Sequence, residues 1–100
     1  MNIIDLKKEQ FANIIEGSKP VLIDFWAPWC GPCRRVVPLI EEIAEERSDI
    51  KVAKINVDEE QELAAEFRIM SIPTLMVIKN GKVTSSAVGA RPKSQILAML

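Results

Sequence analysis

The spacing of hydrophobic residues changes period several times along this chain, and each change marks an element. Residues 21–26, Val-Leu-Ile-Asp-Phe-Trp, are an almost unbroken apolar run, the pattern of a strand covered on both faces. Upstream, Phe11, Ile14 and Ile15 recur at helical spacing within residues 8–17, and Gly17 is placed as a stop. Residues 2–6 fit a short edge strand. A loop rich in Pro and Gly covers residues 27–32. From about residue 33 to residue 47 the period is helical again: Val36, Val37, Leu39, Ile40, Ile43 and Ala44 share a broad face, and Pro38 inside it is expected to kink the helix. Residues 51–57 read as the next strand. Asp58 is placed to cap a helix running through Phe67, with Leu63, Ala64 and Phe67 inward. Residues 74–79 and 82–88 are strands joined by Asn80-Gly81, a dipeptide that favours a two-residue hairpin turn. Gly89 ends that pattern. Pro92 suits the first turn of a last helix, with Ile96, Leu97 and Leu100 on its core side.

The predicted order is β-α-β-α-β-α-β-β-α. Helices between successive strands imply parallel pairing by right-handed crossovers, and the final hairpin adds an antiparallel edge. The expected class is therefore α/β: a central mixed sheet of about five strands with four helices on its two faces. With 100 residues and no repeat, low-complexity tract or linker, residues 1–100 are expected to form one domain, large enough to bury a core without metals or staples.

Composition narrows the function. Hydrophobic residues at 48% and charged residues at 27% are the balance of a globule rather than a disordered tail. The net charge is -1 with acids and bases intermixed, so the basic face that nucleic acid requires is not expected. No segment approaches the roughly 20 apolar residues of a membrane span. The first eight residues lack a charged region followed by an apolar stretch, so no secretory signal is read there and the cytoplasm is the expected location. A monomer is expected.

The chain has two cysteines and no histidine. Without histidine there is no Cys–His nucleophile dyad. A tetrahedral structural zinc site needs four Cys or His ligands and finds two, so no metal is expected. Proton transfer near neutral pH then falls to a perturbed carboxylate, a thiol or water.

Cys30 and Cys33 lie in the run Trp29-Cys30-Gly31-Pro32-Cys33, just past the C-terminal end of a central strand, where open α/β sheets place their sites. Two intervening residues bring the sulfurs within disulfide reach when the second cysteine lies in a first helical turn. Three readings compete: a structural staple, a zinc half-site completed by a second chain, and a redox-active dithiol. A loop this small gives a staple only roughly 2 kcal/mol, and a cytoplasmic staple tends to be reduced. The redox reading has a mechanism. At a helix N-terminus, unpaired N–H groups and the positive end of the dipole favour the Cys30 thiolate. If its pKa falls from about 8.5 to about 7, the thiolate fraction at neutral pH rises roughly 15-fold and intrinsic nucleophilicity drops roughly 5-fold. The net gain in attack is only about 3-fold, so equilibrium poise and leaving-group ability matter more. Cys33, one turn later and less exposed, is placed to attack the mixed disulfide in an intramolecular step. Pro32 stiffens the loop, and Gly31 lets a partner's backbone approach.

These motifs together resemble the thioredoxin family over nearly the whole chain. The likeness is carried by residues 21–38 (VLIDFWAPWCGPCRRVVP), Lys54-Ile55-Asn56-Val57-Asp58, Ser71-Ile72-Pro73-Thr74-Leu75, Asn80-Gly81 and Gly89-Ala90. It implies the thioredoxin fold, with a cis bond between Ile72 and Pro73 beside the dithiol. It also implies that the Ile72 backbone pairs with an extended substrate segment. Asp24, which interrupts an otherwise apolar strand, reads either as a tolerated polar residue at a strand end or as a buried carboxylate with a raised pKa. In the family an acid at this position relays the proton of the residue matching Cys33. Lys54 matches the partner lysine of that acid; a surface lysine at a strand end is the plainer reading. Trp29, Pro32, Ile72, Pro73, Gly89 and Ala90 are expected to form an apolar rim around Cys30, and Trp26 to serve as packing. The likeness implies a Cys30–Cys33 redox disulfide, no bound cofactor, reducing equivalents from a thioredoxin reductase, and disulfide-containing proteins as substrates. Pro28, Ser71 and Phe67 depart from the commoner family residues, and the first two stand where they would tune partner choice. A protein-disulfide reductase is the expected activity. A thiol oxidase or isomerase of the same superfamily, and a binding module that merely keeps the cysteines, are the alternatives.

Overall fold

A computed structural model describes residues 3–100. The elements are β1 (Ile3–Asp5), α1 (Lys8–Ile15), β2 (Val21–Trp26), α2 (Gly31–Glu46), β3 (Lys51–Asn56), α3 (Gln61–Glu66), β4 (Thr74–Lys79), β5 (Lys82–Val88) and α4 (Lys93–Leu97). The five strands form one sheet in the order β1-β3-β2-β4-β5. The α/β class, the mixed five-strand sheet, the four helices and their order agree with the reading of the sequence. Asn2, expected in β1, lies outside the described residues.

The central position of β2 explains its apolar run. It pairs with β3 on one side and β4 on the other, and successive side chains point to opposite faces. Leu22 packs under α2 and α4 with Val36, Ile40, Ile43, Leu75 and Ile96. Val21, Ile23 and Phe25 point to the other face, where Phe11 and Ile14 of α1 and Leu63 of α3 cover them. Each such side chain, fully withdrawn from water, contributes about 1.5–3 kcal/mol.

The direction of β4 differs from the sequence expectation. A helix precedes it, so parallel pairing was expected, yet β4 runs antiparallel to β2, with Thr74 opposite Phe25 and Leu75 opposite Asp24. α3 is only six residues long, about 9 Å, and the chain does not return along the sheet: β4 begins at the end where β2 and β3 finish.

Several boundaries also shift. α1 stops at Ile15, before Gly17, whose missing side chain makes room for Lys51: a Cβ there would meet the Lys51 ammonium at 2.9 Å. That ammonium donates to the Ile14 carbonyl at 3.4 Å, satisfying an acceptor left free at the helix end. α3 starts at Gln61 without a side-chain cap: its capping position is Glu60 rather than Asp58, and the Glu60 carboxylate accepts the Lys8 N–H instead. Pro92 sits just outside α4 in extended conformation rather than in its first turn. α2 starts at Gly31 rather than near Cys33 and continues through Pro38 for two further turns. The hairpin follows expectation: Asn80 (φ 52°) and Gly81 (φ 77°) are both left-handed, as a two-residue turn of this kind requires.

Candidate active site

The site is built at the end of the sheet where β2 stops and α2 begins. Cys30 closes a turn by donating its N–H to the Ala27 carbonyl at 3.1 Å. It is the residue that caps α2: its sulfur accepts the N–H of Cys33 at 3.2 Å. A helix start leaves several N–H groups without partners, and Pro32 has none to offer, so the sulfur takes one of the few donors present. Cys30 and Cys33 form a disulfide with their Cα atoms 5.3 Å apart, inside the usual range.

Cys33 is 1% exposed and Cys30 4%. The order agrees with expectation, but the exposure anticipated for Cys30 is not found in this disulfide form. Ala27, Trp26, Val57 and Ile72 pack around the pair, and the Ile72 carbonyl oxygen lies 3.9 Å from Cys30 Sγ. The open side is at Gly31 and Pro32, both exposed. Nothing lies within 4 Å of where a Cβ on Gly31 would stand.

The antiparallel entry into β4 brings the Ile72–Pro73 segment to this point, and the bond between these residues is cis. The Thr74 hydroxyl donates to the Ser71 carbonyl at 2.6 Å. The Gly89 N–H donates to the Pro73 carbonyl at 2.8 Å. Gly89 (φ 96°) adopts a backbone conformation that side chains disfavour. Ala90 is exposed beside it, whereas Pro73 itself is buried. Of the expected apolar rim, Trp29, Pro32 and Ala90 are open to solvent, Ile72 and Gly89 are half-buried, and Pro73 lies beneath the surface.

Trp29 is 67% exposed, yet its indole is held in place, because Nε1 donates to Asp58 Oδ2 at 2.9 Å. Asp58 is the functional contact that sequence reasoning missed. Its position before an apolar-periodic stretch pointed to a helix cap, and nothing local signals a partner 29 residues away.

Asp24 lies on the face of β2 that carries Leu22 and Trp26. It is 0% exposed, and neither carboxylate oxygen has a hydrogen-bond partner within the protein. Burial raises its pKa to about 7, against an opposing pull from Lys54. Lys54 is the register neighbour of Asp24 on β3, but the two make no ion pair. The Lys54 ammonium stands 5.0 Å from the centre of the Trp26 ring, close enough for a cation–π contact. Trp26 thus links the dithiol cluster to the lysine, more than the packing role expected of it.

The thioredoxin family model matches residues 2–100. The chain is 50% identical over 96 residues to the thioredoxin of Alicyclobacillus acidocaldarius, covering 95% of this chain and 91% of that protein. It is 54% identical over 89 residues to the thioredoxin of Pyropia yezoensis, covering 88% and 83%. It is also 48% identical, over 87% of its length, to a stretch making up 19% of the bifunctional thioredoxin reductase/thioredoxin of Mycobacterium leprae. Among the described residues, no helix is long and apolar enough to cross a membrane. A disulfide that caps a helix at the end of a central strand, together with these matches along the chain, places this protein in the thioredoxin family, as a protein-disulfide oxidoreductase that works by thiol–disulfide exchange at Cys30 and Cys33.

Proposed function

We propose that residues 1–100 act as one cytoplasmic domain that reduces disulfides in other proteins, with Cys30 attacking and Cys33 resolving. The reduced Cys30 thiolate attacks one sulfur of a substrate disulfide. A Cys30–substrate S–S bond forms, the substrate S–S bond breaks, and the departing thiolate takes up a proton. Cys33 then gives its proton to the Asp24 carboxylate and attacks Cys30 Sγ. The Cys30–Cys33 bond forms, and the second substrate sulfur leaves as a thiolate. Two electrons pass to the substrate, and the protein is left oxidised.

The observation that carries this reading is the inequality of the two sulfurs. Cys30 Sγ accepts the Cys33 N–H, a hydrogen bond that favours the thiolate and the leaving group, while Cys33 is enclosed behind it. An acid with a pKa of about 7 is populated in both protonation states near neutral pH, which suits a proton relay. Lys54 keeps that acid from rising further. Trp29, Gly31, Pro32, Ile72, Gly89 and Ala90 form the surface on which an extended substrate segment lies, supported from beneath by the buried Pro73, with the Ile72 backbone as its pairing edge. Re-reduction falls to a thioredoxin reductase; the joining of the two activities in one protein named for both supports that partnership.

The test is Cys33→Ser. It removes the resolving thiol, so mixed disulfides through Cys30 accumulate and appear as covalent adducts by mass spectrometry, whereas Cys30→Ser gives none. Absence of adducts from Cys33→Ser in the presence of oxidised protein substrates overturns the two-step assignment.

A further inference from the structure

Arg91 is a charge at the margin of the site to which the exchange chemistry gives no role. The order of the strands fixes its place. β3, β2, β4 and β5 lie side by side, and Asn56, Trp26, Thr74 and Val88 mark one end of the sheet. At that end Asp58 follows β3, Cys30 follows β2, Ile72 and Pro73 precede β4, and Arg91 follows β5. The ends of β3 and β5 are three strand spacings apart, roughly 14 Å, so the dithiol lies between an acid on one side and a base on the other. Arg91 is held in position. Its Nη2 donates to the Val88 carbonyl at 2.9 Å and its Nε to the Gly89 carbonyl at 3.5 Å. Pro92 follows it and confines its backbone to extended conformations. A guanidinium carries five N–H donors; these bonds engage two of them and leave the others for a carboxylate. Lys93, two residues on, is paired with Glu42 and Glu46 of α2. Among the described residues, Arg91 is in no ion pair.

We propose that Arg91 is a specificity-determining residue that pairs with an acidic side chain, Asp or Glu, of a substrate segment a few residues from the attacked cysteine. The inference rests on the exchange reading above, which brings an extended protein segment to Cys30. Three features select the acid. The planar fork of a guanidinium matches a carboxylate, and charge-assisted hydrogen bonds are the stronger kind. The bonds to Val88 and Gly89 already order the side chain, so less freedom is lost when the substrate binds. Asp58, on the far side of the dithiol, repels an acid placed there, so the pair of charges also sets the direction in which the segment lies. Cys30 follows β2 and Arg91 follows β5, two strand spacings or about 10 Å apart; at about 3.3 Å per residue the acid stands within about three residues of the reacting cysteine.

The test uses two pairs of synthetic disulfide peptides. In one pair the second and third residues before the reacting cysteine are both Glu or both Gln; in the other pair the same change is made after it. Two adjacent positions cover both faces of an extended segment. The readout is the ratio of kcat/KM values within a pair, so a general loosening of the site, which slows both peptides, cancels. In one pair the unmodified protein is expected to favour Glu by about 5-fold at low ionic strength, falling to about 2-fold in about 0.5 M salt. Arg91→Gln brings the ratio to about 1, and Arg91→Lys, which keeps the charge without the fork, retains about 2-fold. The loss appears in KM more than in kcat, since it is binding that is removed. Absence of a Glu preference in both pairs, or a preference unchanged in Arg91→Gln, overturns the proposal while leaving the exchange chemistry intact. Failure to reduce any of the four peptides overturns the exchange reading, and this proposal with it.

Discussion

Asp24 is a carboxyl enclosed within the sheet, with neither oxygen hydrogen-bonded, and its cost to the fold depends on pH. In the unfolded chain it ionises near its ordinary value of 3.8; in the fold, burial holds it protonated until about 7. Folding stability from this group is therefore full below about pH 4, falls as pH rises to about 7, and is level beyond. At 1.36 kcal/mol per pKa unit the loss is on the order of 4 kcal/mol. Asp24→Asn does not titrate, so it is expected to be markedly more stable than the parent at pH 8 and little different at pH 4, by urea midpoints. The same variant lacks a proton acceptor for Cys33, and the release step is expected to slow about 100-fold near neutral pH. Single-turnover rates unchanged across pH would remove Asp24 from the relay. The sequence displayed this residue plainly, as a charge within an apolar strand. Its separation from Lys54 was not legible, because the lysine's alternative partner, the Trp26 ring, lies across the sheet surface.

Among the elements, the β4–β5 hairpin is the one most fully specified by local chemistry. Asn80 and Gly81 both occupy the left-handed region, which few residues other than Gly and Asn tolerate. Nothing lies within 4 Å of a Cβ at Gly81, so the cost of Gly81→Ala is conformational alone. It is expected at about 1–2 kcal/mol, a fall in Tm of roughly 5–10 °C for a domain of this size, with no change in disulfide reduction; a thermal melt checks it. The start of α2 was less legible. Its first turn holds Gly31 and Pro32, which propensity places in a loop. The helix begins there because Cys30 satisfies the Cys33 N–H, an arrangement that serves the capping of the helix and the chemistry together. Asp58 illustrates the opposite case: a good cap by local rules, it lies three residues before α3 begins and holds the Trp29 indole instead.

At the scale of the whole molecule, β2 and β4 are buried along nearly their whole length and paired on both sides, whereas β1 and β5 are edges. Hydrogen exchange should therefore be slowest in the amides of residues 21–25 and 75–78, opening only with global unfolding, and faster in β5 and α4. Protection in β5 equal to that in β4 would contradict this distribution. The amino-acid sequence alone determined the order of elements, the two-faced core, the hairpin and the adjacency of Cys30 and Cys33. These follow from hydrophobic period and turn residues, which act over a few positions. Tertiary structure decided the direction of β4, and with it the site. Had the short α3 returned along the sheet, Pro73 would stand at the opposite end from Cys30. Only the antiparallel entry places the Ile72 carbonyl against Cys30 Sγ and the Gly89 N–H on Pro73. Spacing within each segment is the same for both directions. The choice between them rests on packing between residues some 40 positions apart, which no local pattern encodes.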